Sequence, residues 1–447
     1  MRSDSFTQGN IVRGMLRYSV PYLITCFLQT FYGMADLFIV GQFNEAASIT
    51  AVSVGSQLMH MITVVIAGFA MGSTVLIGRS VGAGSRRRIA GAVNTTFAVF
   101  AVFAAALTVL LLLLTGQIIS VLKVPEAAAA EAGSYMRICF AGVIFITAYN
   151  VVSAVFRGLG DTRRPMYYVA VAGIINIGLD WLLVGPCRMG AGGAAIATVA
   201  SQAISVLLGL IALGKYHSDA WNRDAKTDAE DAGKILRIGL PIAVQEGLIQ
   251  VSFLVITMIA NSRGVEVAAA VGIVEKVISF LFLVPSAMLS TVSALSAQNA
   301  GAGFHDRSRQ ILRVGCTICA VFGSVIFVLC QPLAPWIVSL FVKKGDNVDA
   351  VIRLGGQYLR TYSVDCMFAG IHFCFSGFFS AYGKSGYSFL HNIISIVTLR
   401  IPGAWLAAAF FPATLYPMGL AAPLGSLLSV VICLVLYRRG WKYWHKY

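Results

Sequence analysis

GIINIGLDWLLVG (residues 173–185) has the apolar weight of a helix that dissolves in lipid, yet it carries Asn176 and Asp180 one helical turn apart. At about 3.6 residues per turn the two side chains share a face. An ionised carboxylate at bilayer depth costs roughly 3 kcal/mol or more, so Asp180 is expected to face a cavity or a partner. A structural polar pair between helices is the plain alternative.

The rest of the chain is as apolar. Of its 447 residues, 58% are hydrophobic and only 12% charged, and the mean hydropathy is +0.80. A soluble domain averages about 45–50% apolar and about 25% charged residues, so this composition predicts a polytopic membrane protein. The first ten residues, MRSDSFTQGN, are polar. The first apolar run is too long for a cleavable signal, so none is expected. A span needs about 20 apolar residues. Twelve such runs follow, near 16–41, 47–78, 90–114, 135–157, 165–187, 191–213, 237–261, 267–297, 311–331, 354–381, 387–410 and 416–437. The short alternation of a membrane β-barrel is absent, which leaves an all-α fold of twelve transmembrane helices.

Charge sets the orientation. The net charge of +14 suggests nucleic acid at first sight, but basic residues collect in cytoplasmic loops of membrane proteins, and no nucleic-acid partner is expected. Arg2, Arg86 to Arg88, Arg163, Arg164, Arg223, Arg438 and Lys446 fall on one side. The other side holds fewer, among them Lys343 and Lys344, and Lys276 and Arg400 lie within spans. Both termini are therefore expected in the cytoplasm, with the protein in the plasma (inner) membrane of a prokaryote. Nine cysteines lie mostly in apolar runs, and the C-x-x-C of Cys316 and Cys319 has no sequence neighbour to complete a metal site. These cysteines read as packing.

The sequence also repeats. SYMRICFAGVIFITAYNVVSAVFRGLG (134–160) lines up with QYLRTYSVDCMFAGIHFCFSGFFSAYG (357–383), placing Tyr135 on Tyr358, Phe156 on Phe379 and Gly160 on Gly383. SVGAGSRRR (80–88) pairs with NAGAGFHDR (299–307), and Pro21 with Pro241. Six spans per repeat keep both halves facing the same way, so two parallel six-helix lobes with a central cavity are expected. The N-lobe would comprise 1–214, a charged linker 215–234, and the C-lobe 235–447.

At 1.5 Å per residue, Asp36 in the first span, Asp180 in the fifth and Thr198 in the sixth each lie about 9–10 Å from the same membrane face. With Asn176 they offer two carboxylates, an amide and a hydroxyl, suited to a hard monovalent cation such as Na⁺, or to a shared proton. Gln29 and Tyr32 extend the Asp36 stripe, and Gln202 that of Thr198. In the C-terminal half Glu246 follows Gln245, with Gln250 one turn on. Glu275 and Lys276 are adjacent and are expected to neutralise each other largely. Asp365 and His372 share a face, and Arg400 stands beside the repeat position of Asn176. Glu246, with no adjacent base, is the best acid to meet a cationic substrate. Interhelical ion pairing is the alternative for this half. Gln29, Tyr32, Gln202, Gln250, His372 and Arg400 complete the candidates for a substrate cavity. No P-loop, zinc signature or nucleophile elbow occurs, so no enzyme and no resident cofactor is expected.

PYLITCFLQTFYGMADLFIVG (21–41), SVGAG (80–84), FRGLGDT (156–162), NIGLD (176–180), GGAAIATVASQ (192–202), GLP (239–241), AQNAGAG (297–303) and FSAYGK (379–384) together resemble the multidrug and toxic compound extrusion (MATE) transporters. The resemblance covers the whole chain and rests on the order of these motifs. It implies export of organic, often cationic, small molecules in exchange for Na⁺ or H⁺, by a protein expected to act as a monomer among membrane lipids. It also puts the family's N-lobe cation site on Asp36, Asn176, Asp180 and Thr198. Members that couple through the C-lobe carry a tenth-span acid where this chain has Ala369, with Asp365 a turn away. A flippase of lipids or lipid-linked oligosaccharides, from the same superfamily, is the alternative. It calls for several cationic cavity residues, and this chain offers mainly Arg400.

Overall fold

The structure is a computed structural model that describes residues 6–218, 225–342 and 348–444. Part of the expected linker, 219–224, and the basic residues Arg2, Arg223, Lys343, Lys344 and Lys446 lie outside the described residues. Among the described residues there is no strand.

The helices run α1 (Ile11–Phe43), α2 (Ala46–Gly82), α3 (Arg86–Leu113), α4 (Thr115–Val121), α5 (Glu126–Ala141), α6 (Val143–Leu159), α7 (Arg163–Val184) and α8 (Gly190–Tyr216). They continue as α9 (Ala229–Asn261), α10 (Val265–Leu281), α11 (Leu283–Gly301), α12 (His305–Ser339), α13 (Val348–Tyr362) and α14 (Asp365–Ala381). Last come α15 (Ser385–Ser395), a π-helical turn (Ile396–Arg400), α16 (Ile401–Phe410) and α17 (Tyr416–Trp444).

Among the described residues ten stretches are long and apolar enough to cross a membrane, with α10–α11 and α15–α16 each counting as one. Two further spans are bent pairs, α5–α6 by 44° and α13–α14 by 41°. With these the count is the predicted twelve. The bends fall at the same place in the two repeats, in the fourth and tenth spans.

Each bent span ends in the same way. Gly160, with φ +89°, lets its own N–H and that of Asp161 fold back onto the carbonyls of Arg157 and Phe156. Gly383, with φ +70°, does the same with Lys384 onto Ser380 and Phe379. Only glycine adopts this left-handed cap without strain.

The chain divides into two compact units. Unit 1 contains Val20–Ala243 and unit 2 contains Phe6–Ser19 and Val244–Tyr447. Unit 1 packs α2, α5, α6 and α8 around Val52, Ile66, Phe140, Val155 and Phe156. The first part of α9 belongs to this unit and closes tightly on α2. A Cβ on Gly72 would overlap the Ile235 carbonyl, and one on Gly239 the Phe69 carbonyl. Lipid tails give helices no hydrophobic reason to associate, so close backbone approach through small residues carries that contact. Unit 2 has its own core of Ile256, Val274, Tyr358, Leu359, Tyr362 and Met418.

Helix α7 answers the question posed by its sequence. Ile174 and Trp181 are 73% and 57% exposed, whereas Asn176 and Asp180 are fully buried. The helix turns its apolar face outward and its polar face into the unit, the reverse of a helix in water.

Candidate functional site

The polar groups of unit 1 meet along α1, α7 and α8. The Thr198 hydroxyl donates to Asp36 Oδ2 at 3.1 Å. One turn away, Gln202 Nε2 donates to the Tyr32 hydroxyl at 2.9 Å. The pairs Asp36–Thr198 and Tyr32–Gln202 run in opposite sequence directions, as they must between an odd and an even span. Asn176 and Asp180, on the buried face of α7, lie within interaction range of the Asp36 carboxyl group. Asp36 is 5% exposed and Asp180 fully buried. The four residues that the sequence singled out as a cation site are thus brought together.

Their hydrogen bonding is incomplete. Asp36 Oδ1, both oxygens of Asp180, and both Oδ1 and Nδ2 of Asn176 have no hydrogen bond of normal geometry among the described residues. Buried polar atoms are nearly always paired, and an unpaired one costs about 1–3 kcal/mol. Among the described residues no basic side chain acts on either carboxyl group. Two facing carboxyl groups out of water repel when both are charged. Oxygen-only donors suit a hard ion rather than a soft one. Among the described residues no group of three or more His, Cys, Asp or Glu is disposed to hold a metal ion.

Tyr135 of α5 was missed by the sequence reading. It is 2% exposed and faces both Asp36 and Asp180, with Cys139 one turn on. Its ring lies where a Cβ on Gly55 would be, so Gly55 makes room for it. The one signal available was its match with Tyr358 in the repeat.

The remaining candidates lie apart. Gln29 is half-buried on the Asp36 helix. In unit 2, Glu246 and Gln250 are half-buried on α9, and among the described residues no charged side chain acts on Glu246. His372 is buried edge-on against His391, ring centroids 5.4 Å apart. Arg400 is 9% exposed and donates to the Tyr362 hydroxyl at 3.0 Å. Glu275 does not pair with Lys276. Its Oε2 accepts from the Thr257 hydroxyl at 3.1 Å, and the base acting on it is Arg400. Adjacent helical residues point about 100° apart, which is why sequence neighbours were the wrong pair.

Outside the membrane-spanning segments, Asp161 caps α7. Its carboxylate accepts from the backbone N–H groups of Arg163 and Arg164, pairs with the Arg164 guanidinium, and lies 3.5 Å from His217 Nε2. Burial works to raise its pKa, but contact with His217 and Arg164 outweighs burial and holds it below the ordinary value.

Comparison with known proteins agrees with these observations. A probable multidrug resistance protein of Bacillus subtilis, YpnP, is 27% identical over 99% of this chain and 98% of its own. An FAD transporter of Shewanella oneidensis is 26% identical over 96% of this chain and 95% of its own. A MOP superfamily transporter from Pyrococcus furiosus superposes with a TM-score of 0.91 over 100% of this chain and 99% of its own, at 19% identity, a likeness of fold. The MatE family model matches residues 21–182 and 241–406, covering most of both repeats. The chain therefore belongs to the MatE family and is a membrane transport protein rather than an enzyme.

Proposed function

We propose that this protein is a secondary active antiporter that exports organic, commonly cationic, compounds in exchange for Na⁺ or H⁺. Support comes above all from the buried pair Asp36 and Asp180, which face each other, among the described residues, with three carboxylate oxygens unpaired and no base to neutralise them. A positive charge entering between them removes their repulsion, while Thr198 and Asn176 supply neutral oxygen donors. Its departure restores the repulsion, so occupancy biases the protein between two states. A ligand shifts such an equilibrium only by its differential affinity for the two states, and here the difference comes from the cost of two bare carboxylates. One charge crossing 100 mV yields about 2.3 kcal/mol, enough for a roughly forty- to fiftyfold gradient of a neutral substrate, whereas one-for-one exchange with a monocationic substrate is electroneutral and draws on the ion's concentration gradient alone.

Multidrug resistance, for which the Bacillus relative is named, is carried over as part of this proposal. Glu246 is the acid proposed to meet a cationic substrate, with Gln250 one turn on as a neutral polar contact. The expected location is a prokaryotic inner membrane with both termini cytoplasmic. The flippase alternative gains no support, because Arg400, the base it would use, is buried against Tyr362.

Cells expressing Asp36→Asn or Asp180→Asn protein are expected to lose resistance to cationic dyes while the variant still accumulates, folded, in the membrane. Normal efflux by both variants would end the proposal.

A further inference from the structure

The burial pattern of α7 recurs in the eleventh span with a shift. Pro165, Val169 and Ala172 are buried in α7, and the buried residues of α15 include Ser388, Asn392 and Ser395, each 223 further on. From the last residue of the π-helical turn onward the spacing is 224: Asn176 corresponds to Arg400 and Asp180 to Ala404, and all four are buried. Trp181 and Trp405 follow at the same spacing, both exposed. A π-turn bonds i to i+5, so it takes one extra residue into a helix that keeps its direction. The turn at Ile396–Arg400 therefore moves Arg400 into the register of Asn176.

The surroundings of Arg400 are those of a held ion. Its guanidinium donates to Tyr362 and lies 4.5 Å from the centroid of the Phe253 ring. Asp365 and Glu275 are the carboxylates acting on it. Asp365 is fully buried and has Ser426 beside it, but neither of its oxygens has a hydrogen bond of normal geometry among the described residues. Glu275 Oε1 and Arg400 Nε lack one too. Through-space attraction to the guanidinium thus balances these acids. A guanidinium stays protonated at any physiological pH, and this one is covalently tied to its helix.

We infer that Arg400 is a tethered cation, filling in unit 2 the place that an exchangeable cation takes in unit 1, so that one ion site, not two, sets the coupling stoichiometry. Removing the guanidinium uncovers an anionic site between Asp365 and Glu275 for a monovalent cation. The contrast with unit 1 rests on the function proposed above, but the uncovered site does not.

The test uses purified full-length protein. Bound radioactive Na⁺ is counted, and the unfolding temperature is read as Na⁺ replaces choline and, in Na⁺-free buffer, as pH falls. Asp36→Asn protein is expected to show neither response, apart from the acid loss of stability at Asp161 that every variant here shares. Asp36→Asn/Arg400→Gln gains a response, with about one Na⁺ bound per chain where Na⁺ is the ion taken. Adding Asp365→Asn abolishes that gain, and Arg400→Lys in place of Arg400→Gln never produces it. A cation response in Asp36→Asn with Arg400 intact, or none in the double variant, overturns the inference. If Arg400→Gln does not fold, Asp365→Asn must restore folding, and failure to do so also overturns it. A wild-type protein that responds no more than Asp36→Asn would refute the unit 1 site and leave the Arg400 assignment standing.

Discussion

Units 1 and 2 carry related helices with opposite electrostatic solutions. In unit 1 the fifth span presents a neutral amide and a carboxylate, Asn176 and Asp180, to a second carboxylate, Asp36. In unit 2 the corresponding span presents a fixed guanidinium, Arg400, to carboxylates drawn from α10 and α14. The first arrangement is short of one positive charge and the second carries its own. On the proposals made above, a duplicated scaffold keeps one half exchangeable and locks the other with a single basic residue and a one-residue change of register.

The largest stability effect expected from this comparison is at Arg400. Arg400→Ala leaves Asp365 and Glu275 without a counter-charge, removes the hydrogen bond to Tyr362 and should cost about 1–3 kcal/mol, read as a fall in the unfolding midpoint of the purified protein. Asp365→Asn in the same chain should recover much of the loss. Asp180→Asn should behave oppositely, leaving the midpoint unchanged or raised, because it removes a repulsion. An equal loss at both positions would erase the contrast between the units.

A smaller effect is expected at the Thr198 rung. Thr198→Val keeps the shape and removes one hydrogen bond to Asp36, for about 1 kcal/mol of stability. It should weaken the apparent affinity for the driving cation more than it lowers the maximal flux. The smallest lies outside both sites. Asp161→Asn should cost about 0.5–1 kcal/mol, since Arg164 is partly exposed and such pairs are weak. Because contact with His217 and Arg164 holds the Asp161 carboxyl below its ordinary value, its contribution is present above about pH 4 and is lost as pH falls through the lowered value. The wild-type advantage over Asp161→Asn should therefore shrink in acid.

Much of this was legible in the sequence, for identifiable reasons. Lipid demands long apolar runs, so the twelve spans could be counted directly. Helical periodicity put Asn176 and Asp180 on one face, and a constant rise per residue put Asp36 and Thr198 at their depth. Tyr135 escaped because its approach depends on the missing side chain of Gly55, a tertiary fact. Glu275 was paired with Lys276 because proximity along the chain was all that could be seen, whereas the fold supplies Thr257 and Arg400. The match of Arg400 to Asn176 was one residue out, since a π-turn leaves no mark in composition.

The central proposal is that Asp36 and Asp180 together hold one driving cation. Proteoliposomes of wild-type, Asp36→Asn and Asp180→Asn protein, loaded with a cationic dye and given an abrupt Na⁺ or pH gradient, test this most directly. Gradient-driven dye movement by the wild type and none by either variant is the predicted result. Undiminished coupled movement by both variants would contradict it.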